Sequence, residues 1–341
     1  MPKPISAPPQ DPGAAKPTPA GPARQEPLPW HQPKPIEDDP LAHERVQAIL
    51  RDPGYRLAEQ DVDFLELSDL RAVRLQIDYA KAQRQLERHG VEHTIVVLGG
   101  TRIAEPGAAR RALHGLQQQA GPEHGGAPGV ASRRRREIAV AERILAKSHY
   151  YDVARELGRR IGAAGTPGAR MVVMTGGGPG IMEAANRGAF DAGSETVGLN
   201  ISLPHEQFPN PYVTPGLCLQ FHYFALRKLH FLLRARALVA FPGGYGTFDE
   251  LFETLTLIQT RKIAPMPVVL VGRDYWRRAF DVDFLVDEGV IAEEDRDLFW
   301  YAESALETWE GILDWYRRQG RPLLSDPAPP PPHGAGPAAA P

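Results

Sequence analysis

The stretch Phe241 to Glu253, FPGGYGTFDELFE, limits the folds open to this chain more than any other. Ala237 to Phe241 is a short apolar run that reads as a buried strand, and Thr247 to Gln259 places Phe248, Leu251, Phe252, Leu255 and Ile258 at helical spacing. Gly243, Gly244 and Gly246 therefore occupy a strand-to-helix turn. Such a turn lets a ligand approach the main chain, and the free amides that open the next helix attract an anion. Thr247 and Glu250 read equally as a capping box, T-x-x-E, in which each side chain satisfies the other residue's backbone amide. The sequence alone leaves both readings open.

A second turn of the same kind lies upstream. Met171 to Thr175 is a strand, Gly176 to Gly180 (GGGPG) the turn, and Ile181 to Gly193 a helix that ends on glycine, with Pro179 near its first turn. A dinucleotide fingerprint, G-x-G-x-x-G, fails in both frames, because Ile181 and Glu183 stand where glycine is required. No acid ends the next strand, Thr196 to Ile201, and neither turn is followed by Gly-Lys-Ser or Gly-Lys-Thr. Nicotinamide cofactors and a Walker loop are thereby disfavoured.

Strands at 93–98, 171–175, 196–201, 237–241 and 267–271 alternate with helices. This alternation predicts an α/β fold of the Rossmann-like, doubly wound type, with a mostly parallel sheet, helices on both faces and right-handed crossovers. Ligands of such sheets bind at the carboxyl ends of the strands, so the two glycine turns are expected to converge on one crevice. The first strand ends in Gly99-Gly100-Thr101-Arg102, a third small-residue turn that could help wall it.

TGGGPGIMEAANRGA at 175–189 and PGGYGTFDE at 242–250 closely resemble the paired GGGxxGxM and PGGxGTxxE signatures of the LONELY GUY (LOG) family. LNISLPHEQFPNPYV at 199–213 and FALRKLHFLLRARALVAFPGG at 224–244 resemble its longer bacterial members. The likeness runs from about Thr94 to Trp315, with an insertion near 107–147. It implies an N-glycosidase that cleaves nucleoside 5'-monophosphates, AMP or cytokinin riboside monophosphates, into free base and ribose 5-phosphate. The family's catalytic arginine and glutamate fall on Arg227 and Glu250, 23 residues apart. Its substrate and phosphate contacts fall on Gly176, Gly177, Gly178, Gly180, Met182, Glu206, Lys228, Gly243, Gly244, Tyr245, Gly246, Thr247 and Thr256, with Glu206 the loosest match. A homodimer or higher homo-oligomer, with no metal or organic cofactor, is also implied. Members are often labelled lysine decarboxylases, but no Ser-x-His-Lys-type motif for pyridoxal phosphate stands here.

The residue types suit the implied reaction. Breaking a ribosyl C–N bond builds positive charge on the sugar, which a carboxylate such as Glu250 favours in the transition state. It could equally hold a ribose hydroxyl or deprotonate water. Arg227 offers a planar donor fork for a phosphate or for orienting Glu250, although it also reads as a solvated arginine on a helix through Leu226, Leu229, Leu232 and Leu233. Two other functions share the implied fold. One is a non-catalytic nucleotide or molybdenum-cofactor carrier, which would lack the Arg–Glu pair; the other is a DNA-processing protein, which would need a basic face.

The 341 residues carry a formal net charge of −3, which argues against a nucleic-acid partner, and no apolar stretch reaches the roughly 20 residues that span a bilayer. No apolar signal core is present at the N-terminus and the single cysteine, Cys218, fits a reducing compartment, so a cytoplasmic protein is expected. His222 and His230 are too far apart for a same-face zinc pair. The run Arg133 to Arg136 reads as a solvated helix face. Residues 1–40, with 13 prolines, and 324–341 are expected to be disordered tails, and 41–90 a helical extension before the LOG-like domain at 91–323.

Overall fold

The computed structural model describes residues 34–119, 128–164, 171–203, 208–321 and 323–324. Both proline-rich tails, except residues 34–40 and 324, and most of the stretch 121–129 (GPEHGGAPG) lie outside the described residues. The chain divides into two compact units, Met1–Leu70 and Arg71–Pro341. The first holds α1 (Ala42–Arg51) and the single-turn α2 (Val62–Leu65), whose first turn is capped by the Asp61 carboxylate.

The second unit runs α3 (Arg71–Arg88), β1 (His93–Leu98), α4 (Pro106–Gln118), α5 (Pro128–Lys147), α6 (His149–Ala163), β2 (Met171–Thr175), α7 (Ile181–Asp191) and β3 (Thr196–Ile201). It continues through β4 (Cys218–Phe221), α8 (Phe224–Leu233), β5 (Ala235–Ala240), α9 (Tyr245–Gln259), β6 (Val268–Val271), α10 (Arg273–Ala279), α11 (Val282–Asp287), β7 (Trp300–Ala302) and α12 (Ala305–Arg318). The seven strands form one parallel sheet in the order β4-β3-β2-β1-β5-β6-β7. Helices cover both faces, so this is the doubly wound α/β architecture expected from the alternation of elements.

Period-2 alternation in the central strands explains the layers. Val96 and Leu98 of β1, Val172 and Met174 of β2, and Leu238 and Ala240 of β5 face one core with α3, α8, α9 and α10. Ile95 and Val97, Met171 and Val173, and Ala237 and Val239 face the other core with α6, α7 and α12. A strand buried on both faces must be apolar at every position, which is why these segments read as continuous hydrophobic runs. The two strands that the sequence reading did not foresee are the sheet's edges. β4 alternates buried and exposed residues, and β7 is only three residues long, so neither forms an apolar run.

Within 107–147, the expected insertion, the described residues form α4 and α5. Ser304 caps α12 through a 3.1 Å bond from the Glu307 amide, as the terminal helix pattern suggests.

Helices α6 and α7 approach so closely that a Cβ on Gly188 would lie 1.8 Å from the Arg155 carbonyl oxygen. Gly188→Ala would gain about 1 kcal/mol of helix propensity, but the clash is with main chain that cannot rotate aside. Overpacking of about 1–3 kcal/mol should win. Thermal unfolding is expected to fall by several degrees, and an unchanged or raised Tm would contradict this packing.

Candidate active site

Strand order reverses between β1 and β5, so the loops after these strands diverge to opposite faces and leave a crevice at the carboxyl edge of the sheet. A cavity of about 300 Å³ occupies this position. Its rim is made by the three small-residue turns: Gly99 to Thr101 after β1, Gly176 after β2, and Gly244, Gly246 and Thr247 after β5. Met182, Arg227 and Glu250 also line it.

Arg227, on α8, and Glu250, on α9, meet at this crevice with their charged ends 3.7 Å apart. Both side chains are largely buried, 13% and 9% exposed. The Arg227 Nε–H donates to the Leu199 carbonyl of β3 (2.8 Å), and the guanidinium lies over the Phe231 ring at 5.2 Å. Arg227 is thus a buried clamp joining strand and helices, not a solvated arginine. Gly176 permits this placement: a Cβ there would lie 2.5 Å from an Arg227 guanidinium nitrogen and 2.8 Å from the Met182 sulfur.

Burial raises the Glu250 carboxyl above the ordinary carboxylate range, and the Arg227 charge pulls in the opposite direction. Burial likewise lowers Arg227, opposed by Glu250 and Asp249. The helix that carries Glu250 begins at Tyr245, two residues earlier than the pattern suggested, with Gly244 as its cap and no side-chain capping bond. Thr247 therefore sits inside the first turn, its amide donating to the Gly244 carbonyl at 2.9 Å. The capping-box reading fails for this reason, and Glu250 is turned to Arg227 instead.

The first glycine turn is held from behind by four buried side chains. Thr175 Oγ1 donates to Asn186 Oδ1 (2.7 Å) and accepts from the Gly177 amide (2.9 Å). Asn210 donates to Asn186 Oδ1 (2.9 Å) and to the Gly178 carbonyl (3.0 Å), while its own amide donates to the Gly177 carbonyl. Asn186 Nδ2 donates to Thr196 Oγ1 and to the Val197 carbonyl. Every hydrogen-bonding position of the Asn186 amide is filled, so the network is rigid. Gly177 and Gly178 belong to this support and do not line the crevice.

The remaining expected positions divide. Gly180 caps α7, and the Gly243 carbonyl accepts the Tyr275 hydroxyl. Lys228 is committed to Asp249 (2.6 Å) and Glu253 (3.4 Å), Thr256 Oγ1 donates to the Phe252 carbonyl, and the Tyr245 side chain is 96% exposed. These three line a shallow depression outside the crevice. Glu206 lies outside the described residues.

What the sequence reading missed is an apolar wall, chiefly Ile201, Leu203, Phe224 and Phe231. Phe224 and Phe231 stand three residues before and four after Arg227, the spacing that puts side chains on one helix face, so a signal was there. His230 is fully buried between the Tyr79 and Phe221 rings with its pKa lowered by that burial, and burial raises the Cys218 thiol. Both are packing residues. Among the described residues no cluster of three metal-ligating side chains occurs, and no helix is long and apolar enough to cross a membrane.

Sheet, switch-point crevice and buried Arg–Glu pair define a Rossmann-like α/β protein with a crevice at its strand ends. A family model described as "Possible lysine decarboxylase" matches residues 182–312. The crevice does not fit pyridoxal phosphate: among the described residues no lysine lines it, and the nearby Lys228 is ion-paired outside its walls. The chain is 32% identical over 165 residues to the cytokinin riboside 5'-monophosphate phosphoribohydrolase LOG of Oryza sativa subsp. japonica, an alignment covering 47% of this chain and 65% of that protein. It is 30% identical to LOG3 of Arabidopsis thaliana, of the same description, covering 47% of this chain and 73% of that one. Among solved structures, the Moco carrier protein from Chlamydomonas reinhardtii is 19% identical, with 67% of this chain and 99% of that chain covered and a TM-score of 0.37. The chain belongs to the LONELY GUY family.

Replacing Asn186 with leucine would leave Thr196, Asn210 and the Val197 carbonyl without their buried partner. At about 1–3 kcal/mol for an unsatisfied buried group, Asn186→Leu should unfold at clearly lower denaturant than the parent. An unchanged midpoint in urea would show that the network does not bear on stability.

Proposed function

We propose that the crevice hydrolyses the N-glycosidic bond of a purine nucleoside 5'-monophosphate, with AMP or an N6-modified cytokinin riboside monophosphate as substrate. The observation that carries this reading is the buried Arg227–Glu250 pair at the meeting point of two glycine turns. Supporting it are the activities of the plant relatives and the residues that line the crevice. The backbone amide at Gly246, in the opening turn of α9, suits the 5'-phosphate. The flat wall of Phe224 and Phe231 suits a base, and Glu250 lies in a low-dielectric setting where a carboxylate acts strongly on developing positive charge.

In the reaction the bond between C1' and the base nitrogen breaks, and its electron pair leaves with the base. Positive charge develops on the ribosyl ring and is stabilised by the Glu250 carboxylate. Water bonds to C1', and its proton passes to the carboxylate and on to the departing base, giving free purine and ribose 5-phosphate. Arg227, fixed by Leu199 and the aromatic rings, holds Glu250 ionised and in position. We also propose a homodimer, since Leu229, Leu233 and Phe252 on α8 and α9 leave apolar surface exposed.

Purified protein incubated with AMP, adenosine and isopentenyladenosine monophosphate should release base from the monophosphates and not from adenosine. Glu250→Gln should lose about 100-fold to 10,000-fold in kcat while still binding AMP. Retained turnover in that variant would reject Glu250 as the catalytic group. Because the ionised carboxylate is the active form and burial raises its pKa, kcat should fall with acid at a pH above the ordinary carboxylate range. A pH–rate profile flat down to the ordinary range would remove Glu250 from the rate-determining step. Sedimentation at the chain's own mass would remove the dimer.

A further inference from the structure

A second, larger cavity of about 1190 Å³ opens beside the crevice, with Gly244 in the wall of both. Its walls come from the end of α5, the start of α6, the first turn of α9 and α10. Their chemistry differs from that of the crevice. Arg143 and Lys147 project from α5 and Arg278 from α10, against one lining carboxylate, Asp274. Lys147 Nζ reaches only the Arg143 carbonyl, at 3.4 Å, and neither Arg143 nor Arg278 has an ion-pair partner among the described residues. Tyr245, 96% exposed, and Tyr275 supply rings beside these cations.

The charge pattern is local to the insertion. Residues 106–147 hold eight Lys and Arg against three Glu, in a chain whose net charge is −3. Three like charges around one concavity repel each other, and an almost fully exposed tyrosine gains nothing by folding. Both features favour a ligand that brings several negative charges and a flat ring. The volume lies at the upper end of small-molecule sites and exceeds what a monophosphate fills.

We propose that this cavity is a second ligand site, separate from the crevice, for a nucleotide bearing two or more phosphates. The phosphates sit among Arg143, Lys147 and Arg278, and the base lies on Tyr245. An occupant touches the turn that sets the crevice, because Gly244 is shared and the Tyr275 hydroxyl donates to the Gly243 carbonyl. The site does not depend on the crevice being a nucleosidase.

The test is calorimetric titration of ATP into the full chain carrying Glu250→Gln, with AMP held at saturation so that the crevice is filled. ATP should still bind with one site per chain. Arg143→Glu with Arg278→Glu, both exposed positions, should weaken it tenfold or more with Tm and AMP binding unchanged, and Tyr245→Ala should weaken it by a smaller factor. Inorganic tripolyphosphate should bind more weakly than ATP. Loss of ATP binding when AMP is saturating would place ATP in the crevice and overturn the proposal, as would an unchanged Kd in the charge-reversed variant. Tripolyphosphate binding as tightly as ATP would overturn the nucleotide assignment. Failure of AMP hydrolysis in the parent chain would leave these outcomes untouched, so the two readings fail separately.

Discussion

A guanidinium taken out of water between a strand end and two helices must be answered by partners, and the site is arranged around that requirement. An unpaired buried charge costs several kcal/mol, far more than a surface ion pair returns. Arg227 is answered three times: by the Leu199 carbonyl, by Glu250, and by the faces of Phe224 and Phe231. The first two answers tie β3 and α9 to α8, and the two rings belong to α8 itself. β3 must present the Leu199 oxygen to Arg227, α9 must start early enough to bring Glu250 across, and the turn after β2 must carry no side chain at 176. The geometry of the crevice is therefore a consequence of burying one cation.

The layered fold was readable because its causes are local. Strands buried on both faces are apolar throughout, and small-residue turns join them to helices. β4 and β7 escaped because an edge strand needs neither property; what defines them is pairing to β3 and β6, which no local pattern encodes. At the site, the glycines stood out in two motifs, and Arg227 and Glu250 were singled out by the resemblance to the family. The support behind them did not. Asn186 is an ordinary polar residue in a helix, and Asn210 lies between two prolines; only the fold brings both to Gly177 and Gly178. Lys228 shows the opposite limit. It sits beside Arg227 in sequence, but consecutive helical positions point about 100° apart, and its ammonium ends among the carboxylates of α9's outer face.

The turn after β5 carries two chemistries on its two sides. Toward the sheet it presents Gly246, Thr247 and Glu250 to a small, partly apolar crevice; outward it presents Tyr245 to a wider, cationic one. The charge that distinguishes them comes largely from α5, so the strand-end turns shape one site while α5 supplies the wall of another. Tyr275 makes the two mechanically continuous, since it lines the outer cavity and holds the Gly243 carbonyl.

Burial acts on Glu250 and Arg227 in opposite senses, and each charge limits the shift of the other. The pair is neutral as a whole, which lets an apolar wall of phenylalanines close around it. For Glu250 alone the sign is unfavourable. Its folded carboxyl is raised above the unfolded value, so its contribution to stability is fully present below the ordinary carboxylate range and is lost as pH rises through the raised value. Burial thus disfavours the ionised form that the reaction uses. A carboxylate poorly solvated in the resting state has most to gain when positive charge appears beside it, and a ribosyl cation forming at the crevice would supply that charge at the moment of bond cleavage.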